Sequence, residues 1–105
     1  MTRQRRPMRR IGDLLPDAAR ALGLEEELRL ARLTSLFGSI LAERAPAVSG
    51  SARLVRVSGE ALIVEADHPL AAQEVRIRSE ELLEALAVAP GGVRAREIRT
   101  IAART

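Results

Sequence analysis

The chain has 105 residues, of which 47% are hydrophobic, so it is long and apolar enough for one domain with a single core. It contains no cysteine, which excludes disulfides, thiolate nucleophiles and cysteine metal sites. All 17 basic side chains are arginine; they face 14 acidic ones, for a net charge of +3. No apolar run approaches the roughly 20 residues that a membrane span needs, and no apolar signal core follows the N-terminus. We therefore expect a cytoplasmic protein without a membrane segment.

The positive charge is concentrated at the N-terminus. The first ten residues, MTRQRRPMRR, contain Arg3, Arg5, Arg6, Arg9 and Arg10. Without these five, 12 arginines remain against 14 acids, a net charge of −2. We predict that residues 1–10 form a disordered basic arm and that residues 11–105 form a single domain. A terminal block of one charge sign is either an interaction arm or a solubilising leader, and both interpretations stay open here.

Two helices are predicted after the arm. Apolar residues from Ile11 to Leu22 recur at helical spacing, and Gly23 stands where a C-terminal cap would end that helix. A second helix is predicted over residues 25–44, beginning with three glutamates that suit the positive end of a helix dipole. Ala45-Pro46 ends it.

The second half of the chain alternates between strand and helix signals. Residues 52–58 and 61–66 predict a β-hairpin around Ser58-Gly59-Glu60. Asp67 or His68 is then expected to cap a helix with Pro69 in its first turn. Helical spacing continues over residues 69–88, as one helix or as two with Ser79 as the cap of the second. After a glycine-containing turn, residues 93–101 predict a last strand.

This element order, ααββαβ, predicts an α+β fold. The hairpin supplies two antiparallel strands, and the third strand returns after a helical crossover, which is right-handed if that strand joins the sheet in parallel. The expected architecture is a three-stranded sheet with helices packed on it.

The stretch GEALIVEADHPLAAQEVRIRSEELLEAL resembles the DciA family of bacterial replicative-helicase loaders. Gly59, Leu62 and Val64 match the family's hairpin, Ala72-Gln73-Glu74-Val75 matches its helix start, and Leu82, Leu83 and Leu86 match its leucine segment. The resemblance extends over most of residues 11–101. It implies a K-homology-like fold, although no G-x-x-G loop, with which K-homology domains clamp nucleotides, is present.

The resemblance implies a DNA-replication accessory protein that binds the replicative helicase and assists its loading. It does not indicate a cofactor. Two alternatives stay open: a stand-alone nucleic-acid-binding module, for DNA or RNA, and a protein-interaction module without loading activity. For the latter, Ile77 lies off the apolar face of its helix and is either exposed or packed under the arm or a loop.

Catalysis is not expected. The one histidine, His68, falls at a helix start, where capping explains it, and Glu80, Glu81 and Glu84 form a solvated helix face. The chain has no phosphate-binding loop, nucleophile elbow or metal-ligand spacing. We therefore predict neither a catalytic residue nor a metal site.

Arginines outside the arm cluster on the predicted strands. Two flank the hairpin and others crowd the last strand, so they are candidates for a positive patch that binds single- or double-stranded nucleic acid. The candidates are Arg53, Arg56, Arg94, Arg96 and Arg99, in addition to the five of the arm. The alternative is that they pair with Glu60, Glu65 and Glu97 as ordinary surface ion pairs. Phe37, the only aromatic residue, is predicted in the core, so binding would use phosphates and not base stacking.

Overall fold

The computed structural model describes the backbone of residues 6–104 and the side chains of residues 18–104. Within this part of the chain, a long helix precedes a β-hairpin, two short helices and a last strand, which confirms the α+β class. The elements are α1 (Arg6–Arg44), a 3-10 turn (Pro46–Val48), β1 (Ala52–Ser58), β2 (Ala61–Ala66), α2 (Pro69–Ile77), α3 (Ser79–Val88) and β3 (Glu97–Ala102).

The prediction of two N-terminal helices is wrong, because α1 runs without interruption through Gly23. Gly23 does not adopt the positive φ of a helix-ending glycine; of the glycines described, Gly59 and Gly91 do. A glycine inside a helix costs only about 1 kcal/mol relative to alanine, and the residues around Gly23 are strong helix formers. The helix also includes residues 6–10 of the basic arm, for which we predicted disorder. Residues 1–5 lie outside the described residues, so the division at residue 10 stays a prediction.

The C-terminal third of α1 is anchored in the core. Leu33, Phe37, Ile40 and Leu41 are buried, at the three- and four-residue spacing of one helix face. This confirms the core position of Phe37. The Thr34 hydroxyl donates a hydrogen bond to the Leu54 carbonyl of β1 at 3.1 Å and links the helix to the sheet. The helix ends at Arg44, two residues before Pro46.

The three strands form a mixed sheet in the order β1-β2-β3. The hairpin has the predicted bounds, and Gly59 in its turn has a φ of +61°, which favours glycine. The register shifts between Leu54 and Arg56, so Val55 is an extra residue of the bulge type. Strand β3 pairs with β2 in parallel. The helices pack on one face of this sheet, where Leu62 and Val64 are completely buried.

Two helices, not one, follow the hairpin. The His68 side chain caps α2 by accepting a hydrogen bond from the Ala71 N–H at 3.2 Å, and Pro69 lies in the first turn as predicted. The two helices meet at Arg78, whose guanidinium binds Glu74 on α2 and Glu81 on α3. Ser79 is the first residue of α3 and not its cap, and no side-chain cap bond is present there.

The last strand starts later than predicted, at Glu97 instead of residue 93. Val93 and Ala95 are drawn into the core as a loop, where both are partly buried. The Arg96 N–H then donates to the Glu60 carbonyl at 2.8 Å, which aligns β3 with β2. The turn before this loop is tight: a Cβ on Gly92 would lie 1.8 Å from the Leu86 carbonyl oxygen.

We predict that Gly92→Ala destabilises the fold by about 1–3 kcal/mol, because the added methyl group can be accommodated only by moving the backbone of the turn. Gly50→Ala is the matched control, since a Cβ at Gly50 has no neighbour within 4 Å and its φ is not positive. Chemical denaturation of both variants measures the difference. Equal midpoints would contradict this account of the turn.

Candidate nucleic-acid interface

One face of the sheet packs on the helices, and the opposite face carries charged side chains. Because side chains alternate along a strand, Ile63 points away from Leu62 and Val64. The strands on either side place Arg56 and Arg99 opposite Ile63. Ile63 is nevertheless only 4% exposed, although it lies outside the main core cluster. Long arginine side chains can shield such a residue with their aliphatic stems while the guanidinium groups stay in water.

Arg53 is the most constrained arginine of this face. Its guanidinium donates to Glu65 at 2.8 Å and to Asp67 at 2.9 Å. Both hydrogen bonds raise the pKa of Arg53 above its ordinary value, and the bond to Asp67 has the larger effect. Two carboxylates therefore neutralise Arg53, and a phosphate would have to displace them. The structure therefore supports the alternative interpretation for Arg53, that of an ordinary surface ion pair and not of a phosphate-binding residue.

Arg96 and Arg99 also have acidic partners, in more exposed pairs. Arg96 lies 3.1 Å from Glu60, and Arg99 lies 3.0 Å from Glu97. More than half of each of these four side chains is exposed, and ion pairs of this kind contribute little to stability. A polyanion can therefore compete for these two guanidinium groups at low cost.

Arg56 and Arg94 have no acidic partner within ion-pairing distance in the part of the chain that is described. Both line a groove of about 610 Å³ between α1, the end of β1 and the loop before β3. Its other charged lining residues are Glu26, Glu27 and Arg29 of α1. Arg29 lies 3.6 Å from Glu26 in a highly exposed pair. The groove is thus the place where unpaired arginines from distant parts of the chain meet.

The sequence interpretation did not include Arg29 among the candidates. Its position in the sequence could have identified it. Arg29 lies one helical turn before Leu33, where α1 joins the core, and so it is close to the body of the domain. The arm arginines cannot be placed relative to this groove. Arg3 and Arg5 lie outside the described residues, and the side chains of Arg6, Arg9 and Arg10 lie outside the described side chains.

The remaining candidate features have structural roles or stand apart from the groove. His68 caps α2, and no group of three or more metal-ligating side chains is found among the described residues.

Ile77 is 68% exposed and is not packed under another segment of the described chain. None of the described helices combines the length and apolar character required to cross a membrane.

Together, these features define a small α+β domain with one helix-covered sheet face and one open sheet face bearing arginines. A family model described as "Dna[CI] antecedent, DciA" matches residues 10–100. The chain therefore belongs to the DciA family and is a DNA-replication accessory protein of the helicase-loader type. A comparison with curated proteins found no match.

We predict that Arg53→Met lowers the free energy of unfolding by about 0.5–1.5 kcal/mol, because it removes two charge-assisted hydrogen bonds from a partly exposed group. Arg56→Met on the same strand is the control. It removes no ion pair and should stay within about 0.5 kcal/mol of the parent chain. Urea denaturation measures both values, and equal losses would show that the contacts of Arg53 with Glu65 and Asp67 contribute nothing.

Proposed function

We propose that this chain binds the replicative helicase without catalysing a reaction itself, and that it contacts the nucleic-acid backbone while it assists helicase loading. The observation that carries the proposal is the family match, which extends from residue 10 to residue 100 and so includes the helices and nearly all of the sheet. A cytoplasmic location and a replication complex as the site of action follow from the same proposal.

The nucleic-acid part of the proposal rests on charge. The arm carries five arginines, and the groove adds Arg56 and Arg94, which have no acidic partner among the described residues. Phe37 is completely buried and is the only aromatic residue of the chain, so no ring is available for base stacking. The expected contact is with phosphates, weakly dependent on base sequence and strongly dependent on salt.

Association with the helicase is tested by titrating the purified chain against the helicase of the same organism, with and without nuclease treatment. We expect a complex with a dissociation constant on the order of micromolar that survives the nuclease. Binding that disappears with the nuclease would favour the alternative of a stand-alone nucleic-acid-binding module. Absence of binding with both proteins folded would contradict helicase loading.

The arm is tested by fluorescence anisotropy with random-sequence DNA at three salt concentrations. If most of its five arginines displace counterions, the logarithm of affinity should fall against the logarithm of salt with a slope of roughly −3 to −4. Deletion of residues 2–10 should flatten this slope and weaken binding. Its effect on the thermal midpoint should be small, because residues 2–10 lie at the chain terminus and, among the described side chains, the first buried one is Leu33. An unchanged slope and affinity would mean that the arm is only a leader.

The role of the groove is tested by comparing arginines that have no acidic partner with arginines that have one. Combined Arg56→Ala and Arg94→Ala should weaken DNA binding more than combined Arg96→Ala and Arg99→Ala. The second pair is the matched control, because its guanidinium groups already have the carboxylates of Glu60 and Glu97. Anisotropy at low salt gives the ratio of the two losses. A larger loss for the control pair would place the contact at Arg96 and Arg99, around the start of β3, instead.

A further inference from the structure

The side of α1 that faces away from the core carries a continuous row of uncharged residues. Leu33, Phe37 and Leu41 mark the core side of the helix, and the row lies on the opposite side at about 100° per residue. Its members recur at alternating steps of three and four residues, which is the repeat of a coiled-coil seam. All of them are exposed. This outer row consists of Ala21, Leu24, Leu28, Ala31, Ser35, Gly38 and Ala42.

The outer row contains two leucines that the body of the domain cannot cover. Leu24 and Leu28 are each 54% exposed and lie one helical turn apart. Because they face away from the core, bending of α1 toward the body would not bury them. The other members of the row are small, and small side chains let a second helix approach closely. The outer row is therefore an apolar helix face with two projecting side chains and with room for the projections of a partner.

The outer row is complementary in shape to a second copy of itself that runs antiparallel. In one register, each leucine of one copy lies opposite a small residue of the other, as interdigitating helices require. Parallel copies would instead oppose leucine to leucine at one end and glycine to glycine at the other, so the two helices could not keep one separation. The layers of the antiparallel register pair Leu28 with Ala31, Leu24 with Ser35, and Ala21 with Gly38, each twice about a two-fold axis between residues 29 and 30.

Charges beside the outer row select this register. Glu25 and Arg32 flank the row on one side, and neither has an ion pair in the described part of the chain. At a rise of about 1.5 Å per residue, Glu25 of each copy is offset by about 3 Å along the helix axis from Arg32 of the other. A shift of one heptad would set Arg32 against Arg32 in one direction and Glu25 against Glu25 in the other. Among these three registers, the one above therefore joins opposite charges.

We propose that residues 21–38 of α1 pack antiparallel against the same residues of a second copy of this chain, with an ion pair between Glu25 and Arg32 on each side of the axis. Eighteen helical residues span about 27 Å. This contact is small, so we expect a dissociation constant on the order of 10–100 µM. The two bodies lie on the outer sides of the helix pair. The groove beside β1 also lies on the core side of α1, so it stays open in the dimer.

Cysteine cross-linking tests direction and register in the full chain, which has no cysteine of its own. Leu24→Cys alone and Ser35→Cys alone should yield little disulfide-linked dimer, because each position lies far from its own copy in the antiparallel pair. An equal mixture of the two chains should yield a disulfide-linked dimer, since positions 24 and 35 then face each other. Leu24→Cys mixed with Ala42→Cys is the matched control, because Ala42 is an exposed residue of the same row one heptad further on.

Two cross-linking results would overturn the proposal. A high dimer yield from Leu24→Cys alone would show that the helices run parallel. A yield from the first mixture no higher than that from the control mixture would show that the proposed register does not form.

The ion pairs are tested by sedimentation analysis of chains without cysteine. Glu25→Arg and Arg32→Glu should each weaken self-association about tenfold, because like charges then meet twice across the contact. An equal mixture of these two chains should restore the dimer, since both of its charge pairs are again opposite in sign. Glu84→Arg is the matched control, because it makes the same charge change at an exposed residue of α3. A parent chain that stays monomeric at roughly 500 µM contradicts the proposal, as does a mixture that associates no better than its components.

These experiments contain neither helicase nor DNA, so their failure is distinguishable from failure of the proposed function. Every substituted side chain is exposed, so we expect each variant to keep its fold. Circular dichroism at a concentration well below the dissociation constant checks this, because the thermal midpoint of the monomer should then match that of the parent chain.

Discussion

Burial of β2 on both faces is the constraint on which the rest of the domain depends. Leu62 and Val64 are completely enclosed on the helix side, and Ala61 and Ile63 are almost equally buried on the other. A strand buried in this way has to be central, so a neighbour is needed on each edge. The hairpin supplies β1 on one edge. The chain must then return through α2 and α3 to supply β3 on the other, and those two helices cover the face that the sheet would otherwise expose.

Electrostatics on the open face follow from this arrangement. Because β2 is central, its Glu65 lies beside Arg53 of β1, while Glu97 and Arg99 share one side of β3. The arginine-bearing face is therefore close to neutral, with most of its guanidinium groups already bound to carboxylates. Arg56 and Arg94, which line the groove beside α1, have no acidic partner among the described residues.

Helix α1 joins two segments with different physical support. Its last turns are held by Phe37 and Leu41 in the core, whereas residues 18–29 are all exposed, including Leu22, Leu24 and Leu28. The sequence interpretation was wrong here because a glycine after a run of helical spacing often caps a helix. Gly23 has that position but not the positive φ that such a cap requires. The same weakness applies to Ser79, since the joint between α2 and α3 is held by ion pairs of Arg78 and not by a serine cap.

The sequence by itself determined the features that depend on neighbouring residues: both hairpin strands and their glycine turn, the His68-Pro69 helix start, the core position of Phe37 and the family. These follow from alternation, helical spacing and local backbone preferences, which are readable within a few residues. The tertiary structure alone decided where β3 begins, since Val93 and Ala95 leave the strand to fill the core. It also decided which arginines have partners and which meet in the groove. Several of these contacts join residues on different elements, such as Arg53 with Glu65 and Arg96 with Glu60. No local pattern encodes the distance between two side chains on different elements.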